Sequence, residues 1–166
     1  LGEKMNTTSY DAMATFVNEY IKEPNLLVCD VGSYDVNGTY KPLFENHRYI
    51  GLDIREGPNV DVVSKELYHY PFPLEHFDVV VSGQTIEHVP DIYKWIRELE
   101  RILKVGGLLC VIGPAYFRRH RRGYPVDCWR VYPDGLRFLF EEIAGLKSLK
   151  FVITDKYQDC MGIAQK

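Results

Sequence analysis

The chain has 166 residues, a net charge of −3, 46% apolar residues and 26% charged residues. That length suits one domain over residues 1–166, burying roughly two-thirds of its unfolded surface, and the acidic balance argues against a dedicated nucleic-acid binder. No apolar run approaches the roughly 20 residues that span a bilayer and no signal-peptide pattern opens the chain, so a cytoplasmic protein is expected. Leu1-Gly2-Glu3-Lys4 precede Met5, which fits an expression remnant or a fragment lacking its true start, and residues 1–6 are expected to lack order.

Thr7 to Lys22 carries a helical period, with Met13, Phe16, Val17, Tyr20 and Ile21 on one side and Pro24 beyond it. Leu26 to Val31 reads as an all-apolar strand ending in Asp30, and Tyr40 to Glu45 as a short helical stretch. Strands are expected at Arg48–Asp53, Val60–Val63 and Phe77–Ser82, the last preceded by the turn-rich Tyr70-Pro71-Phe72-Pro73. From Asp91 the residues Ile92, Trp95, Ile96, Leu99, Ile102 and Leu103 define an amphipathic helix, with Pro90 and Asp91 before it and Gly106-Gly107 after it. A buried strand at Leu108–Ile112, a helix at Pro133–Ile143, and strands at Leu149–Thr154 and Cys160–Ala164 complete the series.

Apolar strands alternating with helices imply a parallel sheet covered on both faces. The last two strands are joined too briefly for a crossover and should pair antiparallel. The four cysteines, Cys29, Cys110, Cys128 and Cys160, are far apart with no Cys-x-x-Cys pair, so neither a zinc site nor a disulfide framework is expected. No His/Asp/Glu cluster has ligand spacing, and no metal is expected.

The segment from Cys29 to Asp53 is the most informative. A strand ending Val28-Cys29-Asp30-Val31-Gly32 runs into the loop Ser33-Tyr34-Asp35-Val36-Asn37-Gly38, and a second strand closes on Asp53. An acid and a glycine at one strand end, with a second acid roughly twenty residues on, suit a nucleoside: the Gly32 backbone admits close approach and Asp53 can accept from a ribose diol. A dinucleotide fingerprint would need further glycines to seat a pyrophosphate at a helix N-terminus. Tyr34 and Val36 stand there instead. The loop therefore suits a nucleoside without a pyrophosphate, with Gly38 supplying flexibility two residues later.

Four segments then carry a resemblance: Val28-Cys29-Asp30-Val31-Gly32-Ser33, Gly51-Leu52-Asp53-Ile54, Pro71-Phe72-Pro73 running into Phe77-Asp78-Val79-Val80, and Leu103-Lys104-Val105-Gly106-Gly107-Leu108. In this order and spacing the chain resembles a class I S-adenosylmethionine-dependent methyltransferase, of the type 11 kind, over about residues 10 to 165. The resemblance implies an α/β, Rossmann-like fold with a seven-stranded, mostly parallel sheet of order 3-2-1-4-5-7-6, last strand antiparallel, and helices on both faces. It implies S-adenosyl-L-methionine as cofactor and S-adenosyl-L-homocysteine as product. Asp30 and Gly32, with Ser33 and Tyr34 after them, match the first motif, where the acid faces the methionine end and the glycine backbone underlies the ligand. Asp53 matches the acid on the ribose hydroxyls and Ile54 the apolar residue beside the adenine. Glu66, counted back from Pro71-Phe72, falls near the acid that recognises the adenine amino group. Ser82, Gly83 and Gln84 follow the fourth strand and line the methyl-transfer cleft, with Gln84 on the substrate side.

His88 sits beside that position and suits a general base for a hydroxyl nucleophile, or a histidine that fixes the start of the next helix. Phe117 to Arg130 places Arg118, Arg119, Arg121 and Arg122 around His120. Arginine forks suit phosphates and carboxylates. An acidic acceptor such as a phosphorylated or nucleotide-linked sugar is expected at Arg118, Arg119 and His120; the plain alternative is a solvated loop. Tyr124 to Leu136 resembles a segment of methyltransferases encoded with glycan and polysaccharide biosynthesis genes, reading Pro-x-Asp-x-Trp-Arg before Pro-Asp-Gly-Leu. That likeness lets Asp127 orient or deprotonate a sugar hydroxyl and Trp129 stack on a sugar ring. Alternatively Asp127 pairs with Arg130 and Trp129 packs beneath the loop.

The expected function is O-methylation of a small glycan-related or acidic molecule. A homodimer could cover the open site, and nucleic acid and membrane are not expected partners. The competing reading is an RNA or protein methyltransferase, or a silent binding module, whose arginines grip phosphates. Against it stand the overall acidity and Ser82-Gly83-Gln84-Thr85, where base- and protein-methylating relatives carry an Asn/Asp-Pro-Pro-aromatic motif.

Overall fold

The computed structural model describes residues 7–36, 38–118, 126–154 and 158–166. Seven strands form one sheet of order β3-β2-β1-β4-β5-β7-β6: β1 (Leu27–Val31), β2 (Arg48–Asp53), β3 (Val62–Val63), β4 (Phe77–Gly83), β5 (Leu103–Pro114), β6 (Lys147–Ile153) and β7 (Asp159–Gln165). β1 to β5 pair in parallel, and β7 is antiparallel to both of its neighbours. This is the expected topology, including the closing hairpin. β1 lies between β2 and β4, so the chain leaves the sheet centre in opposite directions from it, and the crevice opens at the carboxyl end of β1.

Helices cover the two faces. The helix α1 (Thr7–Tyr20) puts Met13 and Phe16 against Val28, Val79, Val81 and Ile112. On the other face α2 (Ile92–Ile102) buries Trp95, Ile96, Leu99 and Ile102 against Val80, Leu109 and Val111. Asp91 caps α2 by accepting from the Lys94 amide at 3.1 Å, as an acid just ahead of an apolar period should. Because side chains alternate along a strand, Cys29 and Val31 face the α2 side, and Val28 and Asp30 face the α1 side.

Two elements differ from expectation. The Pro133–Ile143 helix is α-helical only to Phe138 (α3, Pro133–Phe138) and then widens into a π turn over Leu139–Ile143. The wider turn brings the consecutive residues Leu139 and Phe140 both into the core. β5 begins at Leu103, directly after α2, because the Gly106-Gly107 turn is taken up inside the strand: Phe77 pairs with Leu103, and Val79 already with Leu108. Gly106 sits at φ +81, and a side chain on Gly107 would come within 2.9 Å of the Asp78 and Lys104 carbonyl oxygens. Among the described residues no helix is long and apolar enough to cross a membrane.

α2 also carries the buried Glu98. It takes two hydrogen bonds of 2.7 Å from the Arg101 guanidinium and accepts from the Tyr70 amide, while Arg101 reaches on to the Tyr70 and Phe72 carbonyls. This ties the loop before β4, and with it one wall of the crevice, to α2. Glu98→Ala strands the guanidinium and the amide, so it is expected to lower unfolding free energy by about 3 kcal/mol in urea denaturation.

Candidate active site

At the carboxyl ends of β1, β2 and β4 lies a cleft of about 210 Å³. Its first wall is the turn after β1. Gly32 adopts φ +83, and its amide and that of Ser33 both donate to the Leu52 carbonyl, at 2.8 and 3.1 Å. The space that a side chain on Gly32 would need is occupied by Thr85, whose Oγ1 would lie 2.0 Å from it. Gly32 is thus required twice, by its backbone angle and by the packing of the β4 exit against it. Ser33 lies behind the cleft, donating to the Asn59 carbonyl at 2.9 Å, and Asn59 returns a bond to the Ser33 carbonyl.

The second wall is the end of β2. Asp53 accepts from the Tyr34 amide and the Arg55 amide, each at 3.1 Å and one on each carboxylate oxygen. The two bonds fix the orientation of the carboxylate while each oxygen keeps acceptor capacity toward the cleft. Tyr34, which replaces a glycine of a dinucleotide fingerprint, has a place of its own. Its ring fills the space beside Gly57, where a side chain would come within 2.1 Å of it, and the Arg55 guanidinium lies 4.6 Å from the ring centroid.

The third wall follows β4. Gln84 takes φ +56, unusual for a residue with a side chain, and its amide nitrogen Nε2 is buried with no hydrogen-bond partner among the described residues. His88 Nδ1 lies 2.6 Å from the Val126 carbonyl. A carbonyl only accepts, so Nδ1 carries a proton. Val31, Leu52, Leu67, Tyr70, Val89 and Trp95 supply the apolar remainder of the cleft.

Of the residues expected from the sequence, Gly32, Tyr34, Asp53, Ile54, Gln84 and His88 line this cleft. Several others do not. Asp30 is buried on the opposite face of β1, where its carboxylate accepts from the Tyr49 hydroxyl. Burial there pushes its pKa up to about 7, against the lowering effect of that hydrogen bond. Glu66 is exposed, and its carbonyl accepts from Ser64 Oγ at 3.2 Å, so that Ser64 and Leu67 face the cleft instead. Ser82 is fully buried and donates to the Val31 carbonyl at 2.7 Å, a strap between β4 and β1. Gly83 is held from the other side, since a side chain there would meet the Tyr40 hydroxyl at 2.1 Å.

The segment after β5 is pinned to the segment after β4. Asp127 forms a two-pronged ion pair with Arg130, at 2.5 and 2.9 Å, and is not among the residues that line the cleft. Trp129 Nε1 donates to the Val89 carbonyl at 2.8 Å, which fixes a ring that stays 38% exposed. The Cys128 amide donates to the Glu87 carbonyl at 2.7 Å. Arg118 is exposed beyond the end of β5, while Arg119 and His120 lie outside the described residues. The lining residues not foreseen include Val31, Val36, Leu52, Arg55, Ser64, Leu67, Tyr70, Thr85, Val89 and Trp95. Trp95 had a visible signal, an aromatic in the first turn of the helix after β4. Most of the others depend on loop paths that spacing does not encode.

The cleft can hold a nucleoside. Its apolar lining suits a base and the oriented Asp53 carboxylate suits a diol. Residues 29–111, half of the chain, match a family described as "Methyltransferase domain". The chain is 32% identical over 92 residues to 2-methyl-6-phytyl-1,4-hydroquinone methyltransferase 1 of Oryza sativa subsp. japonica, covering 55% of this chain and 28% of that protein. It is 38% identical over 90 residues to the Arabidopsis thaliana enzyme of the same description, covering 54% and 27%. The matched part thus spans about a quarter of these relatives' length. Among solved structures, 1,6-didemethyltoxoflavin-N1-methyltransferase of Burkholderia thailandensis, with S-adenosylhomocysteine bound, superposes with a TM-score of 0.76 at 15% identity, covering 97% of this chain and 79% of that one. An S-adenosylmethionine-dependent methyltransferase of Aquifex aeolicus does so with a TM-score of 0.67 at 18% identity, covering 97% and 98%. The chain belongs to the methyltransferase domain family and has the fold of the class I S-adenosylmethionine-dependent methyltransferases.

Proposed function

We propose that the protein transfers the methyl group of S-adenosylmethionine to a hydroxyl of a small glycan-related or acidic acceptor. The observation that carries the cofactor reading is Asp53, fixed by two amides at the end of β2 beside an apolar floor. In this reading the Asp53 carboxylate accepts from the ribose diol, Leu52, Ile54 and Leu67 flank the adenine, and the methionine part runs past Gly32 toward Gln84. The cofactor supplies a methyl on a positively charged sulfur: the acceptor oxygen bonds to it, the methyl–sulfur bonding pair stays on sulfur, and the hydroxyl proton leaves. His88 takes that proton at Nε2. The acceptor side of the reading is supported by the fixed, partly exposed Trp129 ring and by Arg118 just past β5.

Replacing Asp53 by alanine removes hydrogen bonds to a charged acceptor. It is expected to weaken S-adenosylmethionine binding by about tenfold or more in calorimetry. Unchanged affinity would remove Asp53 from the ribose. The acceptor is tested with methyl-labelled cofactor and a panel of sugars, nucleotide sugars, 1,4-hydroquinones and RNA. Label on a sugar or nucleotide sugar is the expected result. Label on a hydroquinone alone would overturn the glycan assignment and keep the chemistry, and label on RNA would overturn the small-molecule assignment.

A further inference from the structure

Glu87 is the most anomalous side chain around the cleft. It is fully buried, yet both of its carboxyl oxygens lack a hydrogen-bond partner among the described residues. A buried carboxyl left in that state is costly and calls for a reason. Its Oε1 lies 3.6 Å from Nε2 of His88, the ring nitrogen on the side away from the Val126 carbonyl. The pair cannot drift apart easily. The Val126 carbonyl holds the far side of the imidazole, the Cys128 amide holds the Glu87 carbonyl, and Trp129 holds Val89.

We propose that Glu87 is a positioning residue for His88, and that the two form a carboxyl–imidazole pair that takes up and holds the proton displaced from the acceptor hydroxyl. This deepens the methyltransferase reading and rests on His88 as the proton acceptor. The proton moves from the hydroxyl to Nε2, Nδ1 keeps its own proton on Val126, and the resulting imidazolium faces the Glu87 carboxylate. The pair passes from a net charge of −1 to zero, so the buried wall of the cleft gains no positive charge.

Among the described residues, the charges facing Glu87 are the His88 ring on its own segment, Arg130 and Asp127 from the segment after β5, and Asp159 from β7. Burial pushes the Glu87 pKa up to about 8; Arg130 acts against this, and Asp159 and Asp127 act with it. Below that pH the pair already holds one proton, and it takes up a second only in a lower titration step. Above it the pair is ready. Methyl transfer should therefore rise with pH toward a plateau, with the limb set by the pair and not by an isolated imidazole.

Histidine-labelled protein tests this by NMR without any acceptor, His88 being assigned by its absence in His88→Gln. The expected result is a neutral ring protonated on Nδ1 and a two-step titration whose upper step follows Glu87. In Glu87→Gln the upper step should vanish and the His88 midpoint should fall by about one pH unit or more, because a facing negative charge has been removed. The pH limb of methyl transfer should move the same way. A His88 titration that superposes on wild type in Glu87→Gln, or a ring protonated on Nε2, overturns the inference. If that variant fails to fold, a simple one-step titration of wild-type His88 overturns it equally. Calorimetry with S-adenosylhomocysteine on the same samples separates the two levels: normal binding with an uncoupled His88 removes the role of Glu87 alone. Absent binding with a coupled His88 overturns the methyltransferase reading on which that role depends.

Discussion

His88→Gln is expected to lower the rate of methyl transfer by about 10²–10⁴-fold, the usual contribution of a positioned general base. The same variant should leave S-adenosylhomocysteine affinity changed by less than about twofold, because the loss falls on a group that acts only as the hydroxyl proton leaves. Glutamine is the informative replacement. Its amide can still donate to the Val126 carbonyl, which His88 Nδ1 meets at 2.6 Å, so the segment after β4 keeps its tie to the segment after β5. It has no basic nitrogen to take a proton. Single-turnover rates with the panel acceptor that takes label are the readout. A fall of less than about tenfold would mean that methyl transfer here needs positioning and no base, and the Glu87–His88 pair would lose its purpose.

The second large effect is on stability. Asp30 has its pKa pushed up to about 7 by burial, against the hydrogen bond from Tyr49, and Glu87 is pushed up to about 8 in the same way. Both folded values lie above the ordinary carboxylate range, so the folded chain binds these protons more tightly than the unfolded chain. The stability they contribute is fully present below about pH 4 and is lost as pH rises through 7 and 8. The loss is on the order of several kcal/mol across that window, at about 1.4 kcal/mol for each pKa unit. Asp30→Asn isolates half of it. The amide still accepts from the Tyr49 hydroxyl and never has to ionise. At pH 8 the variant should resist urea better than wild type by about 2 kcal/mol or more, and the advantage should fade toward pH 4. A constant difference between the two proteins at all pH values would show that Asp30 titrates normally.

The fold was readable because its signals are repetitive and mutually consistent. Apolar strands at Leu27–Val31, Arg48–Asp53 and Phe77–Gly83 sit between amphipathic helices, and the short link before β7 leaves only a hairpin. The lining of the cleft was readable where it falls on the backbone or on the last residue of a strand, as at Gly32 and Asp53. It was less readable one strand position away. Asp30 is adjacent in sequence to Val31, but strand alternation sends its side chain to the α1 face, against Tyr49. Glu66 was placed by counting through Ser64 to His69, an irregular stretch in which Ser64 and Leu67 turn inward instead. Asp127 shows the plainer of its two alternatives, an ion pair to Arg130, whereas Trp129 is tied to Val89 through its ring nitrogen yet stays partly exposed and is not packed beneath the loop. Glu87 is the case that pattern reading handles worst. Next to His88 in a short helical turn it looks like an ordinary surface acid, and only the folded structure shows it to be a fully buried carboxyl.

The central claim is that the cleft between β1, β2 and β4 holds a nucleoside joined to a methionine-like tail and excludes a dinucleotide. Isothermal titration of S-adenosylhomocysteine and of NAD into the same protein tests it most directly. The account predicts one S-adenosylhomocysteine site per chain, weakened by about tenfold or more in Asp53→Ala, and no heat of binding with NAD. Saturable binding of NAD, or no binding of S-adenosylhomocysteine by the wild-type chain, would contradict it.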